Sequence, residues 1–118
     1  IVEDKLPNTI YLKTLLSKSK IELTFAGDGA QAVEIFKNSK DIDLVLMDIQ
    51  LPVMDGFEAT AKIKEINPLV PVIAQTAFAS VEDRDRAFNS GFDDFVSKPI
   101  NPKELLRKMA ILLEGEGK

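Results

Sequence analysis

Three acidic residues follow two apolar segments of this 118-residue chain. Glu3 and Asp4 come directly after the apolar pair at residues 1–2, and Asp48 closes the apolar run at residues 44–47. Four consecutive large apolar residues predict a strand that is buried on both faces. In an open α/β sheet, the carboxyl ends of the strands form the edge where ligands bind. We therefore expect the three acids to share a ligand-binding edge.

Acidic side chains grouped at one edge require a compensating positive charge. Two carboxylates about 4 Å apart repel each other by about 4 kcal/mol at an effective dielectric constant near 20, an appreciable part of the ~5–15 kcal/mol that stabilises a domain. The sequence contains no histidine and no cysteine, so a metal ion here would have oxygen ligands alone. Such ligands select a hard divalent cation. Mg²⁺ is favoured, with Mn²⁺ or Ca²⁺ as alternatives.

Two more polar residues come at predicted strand ends. Thr76 closes the strand predicted over residues 70–76, and Lys98 follows the short strand predicted over residues 95–97. Taken alone, a threonine is an ordinary strand residue because it is β-branched, and a lysine is an ordinary surface residue. Lys98 precedes Pro99, however, which restricts it to an extended conformation. Both side chains are expected at the same edge as the acids.

Composition limits the classes of function. The net charge of −4 and the pI of about 4.8 argue against unspecific binding to nucleic acid or to anionic membranes. The lack of cysteine suits a cytoplasmic protein, and no apolar run approaches the ~20 residues of a transmembrane helix. Without histidine, any phosphohistidine in the chemistry must belong to another molecule or domain. Since residues 1–2 are short for a first strand, we expect further residues upstream in the parent protein.

Strand and helix patterns alternate along the chain, joined by short links. Strands are predicted at residues 1–2, 21–26, 44–48, 70–76 and 95–97. Helices are predicted at residues 6–18 and 57–66, and from the capping box at residues 80–83 to residues 90–91. Two further helices are predicted to begin after the cap residues Asp28 and Asn101. This (βα)5 pattern predicts an α/β fold: one parallel sheet covered by helices on both faces. Residues 1–113 are predicted to form a single domain, and residues 114–118 a frayed tail.

From Ile1 to Leu113, the chain resembles the receiver domain of two-component response regulators. The segments that carry the resemblance are residues 2–4 with Asn8, 46–56, 76–77, 91–95 and 98–99, in the order and spacing of that family. Residues 48–60 are most similar to receivers fused to hybrid histidine kinases. The resemblance implies a flavodoxin-like fold with five parallel strands in the order 2-1-3-4-5. It also implies that this cytoplasmic chain is itself no enzyme beyond self-catalysed phosphotransfer and dephosphorylation.

The resemblance assigns a role to each residue at the strand ends. Asp48 accepts a phosphoryl group from the phosphohistidine of a histidine kinase or phosphotransfer domain, and Lys98 contacts a phosphoryl oxygen while Thr76 donates a hydrogen bond. The implied ligands of Mg²⁺ are Glu3, Asp4, Asp48 and the main-chain carbonyl of Gln50. Glu3 stands where many members have aspartate, and Gln50 and Phe78 occupy positions that tune the loss of the phosphoryl group.

The resemblance also implies a conformational switch. Movement of Thr76 toward the phosphoryl group leaves space into which Phe95 turns, and this alters the surface of the fourth helix, fifth strand and fifth helix. Phe95 stands where many relatives have tyrosine, so it carries no hydroxyl group to report on that surface. The chain is expected to be a monomer or a weak dimer.

Three alternatives stay open at this point. The domain is either excised from a hybrid histidine kinase or a stand-alone single-domain regulator. A receiver-like interaction module that is never phosphorylated is less consistent with the full set of residues. Residues 27–32 also fit the G-x-G-x-x-A dinucleotide fingerprint, with Asp48 about twenty residues further on. Against that reading, Asp28 would place a negative charge beside the pyrophosphate.

Two local features are also predicted. Gly56 is expected to supply a positive φ in the turn after Asp48, and the bond between Lys98 and Pro99 is expected to be cis. Asn8, Asp93 and Asp94 are expected to have structural roles.

Overall fold

The computed structural model describes residues 1–17, 21–39, 41–77 and 81–116. Within these ranges the elements are α1 (Leu6–Leu16), α2 (Gly29–Asn38), β1 (Val45–Asp48), α3 (Gly56–Ile66), β2 (Val72–Thr76), α4 (Val81–Asn89), β3 (Asp94–Ser97) and α5 (Pro102–Glu116). The predicted cap residue Ser80 and position Phe78 lie outside the described residues. α5 continues past residue 113, where the frayed tail was predicted to begin.

The sheet is parallel and has the predicted order. β2 lies between β1 and β3 and pairs in parallel with both. On the other side of β1, Val2 bridges Met47 and also bridges Ala26, so the segments follow the order 2-1-3-4-5. The predicted strand at residues 21–26 does not form a continuous ladder: among the described residues its one β-bridge joins Ala26 to Val2. The Ala26 N–H donates to the Ile1 carbonyl at 2.9 Å, and the Ala26 carbonyl accepts the Glu3 N–H at 3.0 Å.

Helices cover both faces of the sheet, as the alternation of elements predicts. On one face, strand residues such as Met47 and Ala74 pack against α2 and α3 through Phe36 and Ile63. The core of the opposite face is formed with α1 and α5, and consists of Leu12, Leu16, Leu46, Ile73, Val96, Ile100, Leu105 and Met109. Every residue of β1 and β2 is buried, which explains their nearly continuous apolar sequences.

Side-chain caps begin two helices at the predicted places. Asp28 accepts a hydrogen bond from the Gln31 N–H at 2.7 Å, and Asn101 accepts one from the Glu104 N–H at 3.1 Å. These bonds satisfy N–H groups that a helix cannot satisfy internally. These caps fix the residues at which α2 and α5 begin.

The turn after β1 differs from its prediction. Gly56 does not adopt a positive φ; in this turn Val53 does, at 67°. Glycine is required at position 56 because a Cβ there would collide with the carbonyl oxygen of Asp48. The predicted cis bond between Lys98 and Pro99 is confirmed.

No helix in the described part of the chain is long and apolar enough to cross a membrane.

Candidate functional site

The strand ends bring the three predicted acids together. Carboxylate oxygens of Glu3, Asp4 and Asp48 lie within 4.8 Å of one another. Asp48 is the last residue of β1, and the bridge between Val2 and Met47 places Glu3 beside it. Glu3 and Asp48 are 4% and 2% exposed, whereas Asp4 is exposed to solvent. The site therefore has a buried pair of carboxylates and one carboxylate at its mouth.

Both carboxylate oxygens of Asp48 accept hydrogen bonds. Oδ1 accepts from the Gln50 N–H at 3.0 Å, and Oδ2 accepts from the Lys98 ammonium at 2.7 Å. The main-chain N–H of Asp48 donates to the Val2 carbonyl at 3.1 Å. Contacts from three separate segments thus fix the position and orientation of the carboxylate.

Lys98 is the cation nearest the buried acids among the described residues, at 2.7 Å from Asp48 and 3.5 Å from Glu3 Oε1. Burial lowers the pKa of Lys98, but the hydrogen bond and charge of Asp48 and the charge of Glu3 outweigh this, and the net shift is upward. Burial and the nearby Asp48 raise the pKa of the Glu3 carboxyl, despite the opposing hydrogen bond from the Lys5 N–H. One ammonium therefore faces two buried carboxylates, and negative charge remains in excess.

The donor set fits a divalent cation such as Mg²⁺. All three side chains offer carboxylate oxygens, which hard cations prefer. Glu3 Oε1 is buried and accepts no hydrogen bond from the described residues, since Lys98 lies at ion-pair distance only. A buried carboxylate oxygen without a donor is costly unless a positive charge comes close to it. Gln50 is exposed at the rim of the site, next to Asp48 in the turn.

Thr76 lies at the end of β2, one residue beyond the register partner of Asp48. Its carbonyl accepts a hydrogen bond from the Lys98 N–H at 2.7 Å, and the residue is 5% exposed. Thr76 also lines a cleft of about 460 Å³ beside the turn that follows β1, together with Ile49, Gln50, Leu51, Asp55, Phe57 and Arg86. The structure thus places Thr76 at the same edge as Asp48, as predicted.

Phe95 is a half-buried residue of β3 in contact with two helices. Its ring meets the Phe88 ring of α4 edge-on, with centroids 6.4 Å apart. The ammonium of Lys108, on α5, lies 5.1 Å from the centre of the Phe95 ring and donates to the Phe95 carbonyl at 2.6 Å. Since Ala74 pairs with Phe95, the register places Phe95 and Thr76 on the same face of the sheet.

Sequence reasoning missed three polar residues near the site. Gln75 is a fully buried polar residue, and its place inside the apolar run of β2 is a pattern that could have identified it. Arg86 lies over the Phe57 ring at 4.0 Å, and Lys108 contacts Phe95. No sequence pattern could have singled out Arg86 or Lys108, because charged residues are common on exposed helix faces.

The dinucleotide-like turn has another role in this fold. The Asp28 carboxylate accepts the Gln31 N–H at the start of α2, where a pyrophosphate would have to bind. The side chain of Gln31 in turn accepts the Gly27 N–H at 2.6 Å. Gly29 is needed for packing, since a Cβ there would collide with the Met54 carbonyl. These residues cap a helix and pack it against the turn after β1.

Comparison with known proteins gives one consistent result. The sequence profile described as "Response regulator receiver domain" matches residues 1–110. Hybrid signal transduction histidine kinase I of Dictyostelium discoideum is 43% identical over 113 residues, covering 89% of this chain but 6% of the kinase. A 14.6 kDa protein of Leptolyngbya boryana, "Uncharacterized 14.6 kDa protein in sodA1 3'region", is 33% identical and covers 91% of this chain and 82% of its own length.

Solved receiver structures have the same fold. The receiver domain of sensor histidine kinase PA1611 from Pseudomonas aeruginosa, described with a magnesium ion coordinated in the active-site cleft, has a TM-score of 0.85 and 35% identity. That match covers 99% of this chain and 94% of the other. The receiver domain of Ssk1 from Saccharomyces cerevisiae, in complex with the histidine phosphotransfer protein Ypd1, has a TM-score of 0.84 and 34% identity, over 91% of this chain and 81% of the other.

Proposed function

This chain belongs to the response regulator receiver domain family, and from that premise we propose that Asp48 accepts a phosphoryl group from a partner's phosphohistidine in a His–Asp phosphorelay. The observation that carries the proposal is the environment of Asp48. It is a buried carboxylate at a strand end, 2.7 Å from Lys98 and grouped with Glu3 and Asp4. Such a carboxylate has no evident structural purpose, since its burial beside another acid is unfavourable.

In the proposed reaction, a carboxylate oxygen of Asp48 attacks the phosphorus of the phosphohistidine. The new O–P bond forms as the P–N bond breaks, and the bonding electron pair returns to the imidazole nitrogen, which takes a proton from water. The Gln50 N–H and the Lys98 ammonium hold the carboxylate in place before attack. Lys98 then contacts a phosphoryl oxygen. Phosphoryl transfer depends mainly on such positioning and charge stabilisation.

The carboxylates of Glu3, Asp4 and Asp48, with the main-chain carbonyl of Gln50, are the residues that would hold Mg²⁺, or Mn²⁺ in its place. When bound, the cation supplies positive charge against the oxygens of the transferred group. The orphaned Glu3 Oε1 supports this assignment. The magnesium of the PA1611 receiver domain gives it further support.

We propose that Thr76 and Phe95 transmit phosphorylation to the surface formed by α4, β3 and α5. The hydroxyl of Thr76 would donate to a phosphoryl oxygen, and Phe95 would then turn toward the space that Thr76 leaves. The contacts of Phe95 with Phe88 and Lys108 support this route, because any rotation of the ring changes its packing against both helices.

The partner is a histidine kinase or a phosphotransfer domain that carries phosphohistidine. The complex of Ypd1 with the Ssk1 receiver supports a phosphotransfer protein as one such partner. An origin in a hybrid kinase is supported by the Dictyostelium relative, of which this chain spans 6%. The stand-alone alternative is supported by the Leptolyngbya protein, of which it spans 82%. We also propose that the chain acts in the cytoplasm as a monomer or weak dimer, without direct contact with nucleic acid or membrane.

Intact-mass measurement tests the acceptor assignment. The protein is incubated with Mg²⁺ and a small phosphodonor such as acetyl phosphate, and it should gain the mass of one phosphoryl group. Asp48→Asn should abolish this gain. Asp55→Asn is the matched control, because Asp55 caps α3 in the turn that follows β1 and its carboxylate accepts the Glu58 N–H. A phosphoryl group that is retained by Asp48→Asn would refute the assignment.

A further inference from the structure

Gln75 is a polar residue in the interior of the sheet. It is 0% exposed and lies in β2, between residues of a strand that is otherwise apolar up to Thr76. In the parallel register it is the partner of Asp48. Paired residues of adjacent strands project to the same face, so Gln75 and Asp48 share the face that α1 and α5 cover. Gln75 is therefore a direct neighbour of the proposed acceptor.

The amide of Gln75 reaches the peptide group that precedes Glu3. Its Nε2 donates to the Val2 carbonyl at 3.5 Å, and the same carbonyl accepts the Asp48 N–H at 3.1 Å. The other end of this peptide group, the Glu3 N–H, donates to the Ala26 carbonyl at 3.0 Å. The orientation of the Val2–Glu3 peptide is thus set by Asp48, Gln75 and Ala26 together.

The oxygen of the Gln75 amide accepts no hydrogen bond from the described residues. This oxygen, Oε1, is buried. A buried acceptor without a donor lowers the free energy of unfolding, and an apolar side chain of similar shape avoids that loss. Stability alone therefore gives no reason for glutamine at this position.

We propose that Gln75 is a positioning residue for the divalent cation, acting through the Val2–Glu3 peptide. By holding the Val2 carbonyl, its amide orients the backbone that carries the Glu3 carboxylate and brings that carboxylate toward Asp48. The inference rests on the proposed function, because it needs the acidic group to bind Mg²⁺. The inference adds that Mg²⁺ binding depends on Gln75, although Gln75 is not itself a ligand of the ion.

The experiment compares Gln75→Leu with wild type in titrations with Mg²⁺ alone, followed by calorimetry, and in thermal unfolding without Mg²⁺. Loss of one weak hydrogen bond should reduce the Mg²⁺ affinity about threefold to tenfold. The Tm should stay equal or rise, since the orphaned carbonyl is removed. Thr60→Val is the matched control: Thr60 Oγ1 is also buried without a partner, but Thr60 lies on α3, which covers the other face of the sheet. That variant should keep the wild-type Mg²⁺ affinity.

The outcomes separate this inference from the proposed function. Absence of Mg²⁺ binding by the wild type would overturn both. Wild-type binding with unchanged affinity in Gln75→Leu would overturn the positioning role alone. A Gln75→Leu variant whose Tm and Mg²⁺ affinity fall together would also overturn it, because the glutamine would then be a structural residue. If Gln75→Leu does not fold, Gln75→Met, which keeps an unbranched chain of similar length, is judged by the same criteria.

Discussion

Replacement of Lys98 by methionine should destabilise the protein in a way that depends on pH. The side chain keeps its apolar length but loses the ammonium that lies 2.7 Å from Asp48 and 3.5 Å from Glu3. Both acids are almost completely buried. Lys98→Met therefore leaves two neighbouring carboxylates without their nearest cation, and removal of one partner from a buried ion pair is strongly destabilising.

Proton uptake by Glu3 limits how far Lys98→Met can lower the free energy of unfolding. The attraction between Lys98 and Asp48 at 2.7 Å is about 6 kcal/mol at an effective dielectric constant near 20. In the variant, however, Glu3 can bind a proton instead of remaining charged. Protonation of a carboxyl group of ordinary pKa near 4.3 costs about 4 kcal/mol at pH 7. We expect the free energy of unfolding to fall by about 2–4 kcal/mol at pH 7 without Mg²⁺.

The stability of Lys98→Met should depend on pH because Glu3 binds a proton in the folded variant. The folded pKa of Glu3 is already raised by burial and by Asp48, and loss of Lys98 raises it further. The folded variant then binds more protons than the unfolded chain above the ordinary carboxyl pKa, so its stability decreases as the pH rises through that range. Acidification from pH 7 to pH 5 should therefore recover part of the loss.

Urea unfolding at pH 5 and pH 7, with and without Mg²⁺, measures these effects. Mg²⁺ should stabilise Lys98→Met more than wild type, because the cation replaces the missing charge. Lys62→Met, a change of an exposed lysine on α3, is the control and should alter stability by less than about 0.5 kcal/mol. If Lys98→Met unfolds at the wild-type urea concentration at pH 7 without Mg²⁺, the electrostatic account of the site is wrong.

Three further substitutions have distinct expected results. Gly56→Ala places a Cβ against the Asp48 carbonyl, so it should lower the free energy of unfolding by about 1–3 kcal/mol and slow phosphorylation; normal values of both would refute the close contact. Asp28→Ala removes a helix cap and should cost about 1 kcal/mol in urea unfolding while the phosphorylation rate stays at the wild-type value. Lys108→Met removes the donor to the Phe95 carbonyl and should shift the NMR resonances of the Phe95 ring while Asp48 is still phosphorylated; an unchanged ring spectrum would contradict the contact.

The sequence by itself determined most of the helices and strands and the acidic character of the site. Apolar runs ending in Asp48 and Thr76 are local patterns, and so are the caps formed by Asp28 and Asn101. Parallel strands place their carboxyl ends at one edge, so a shared edge for Asp48 and Glu3 followed from the order of elements. The strand order that makes the two residues neighbours was implied by the resemblance to receiver domains.

Only the tertiary structure decided how the acids are held. Gly56 proved necessary for its close approach to the Asp48 carbonyl and not for a positive φ, and no local pattern reveals a contact between two segments. The hydrogen bond from Gln75 to Val2 joins residues 73 positions apart. Its existence depends on strand register, which is a property of the assembled sheet and not of either segment.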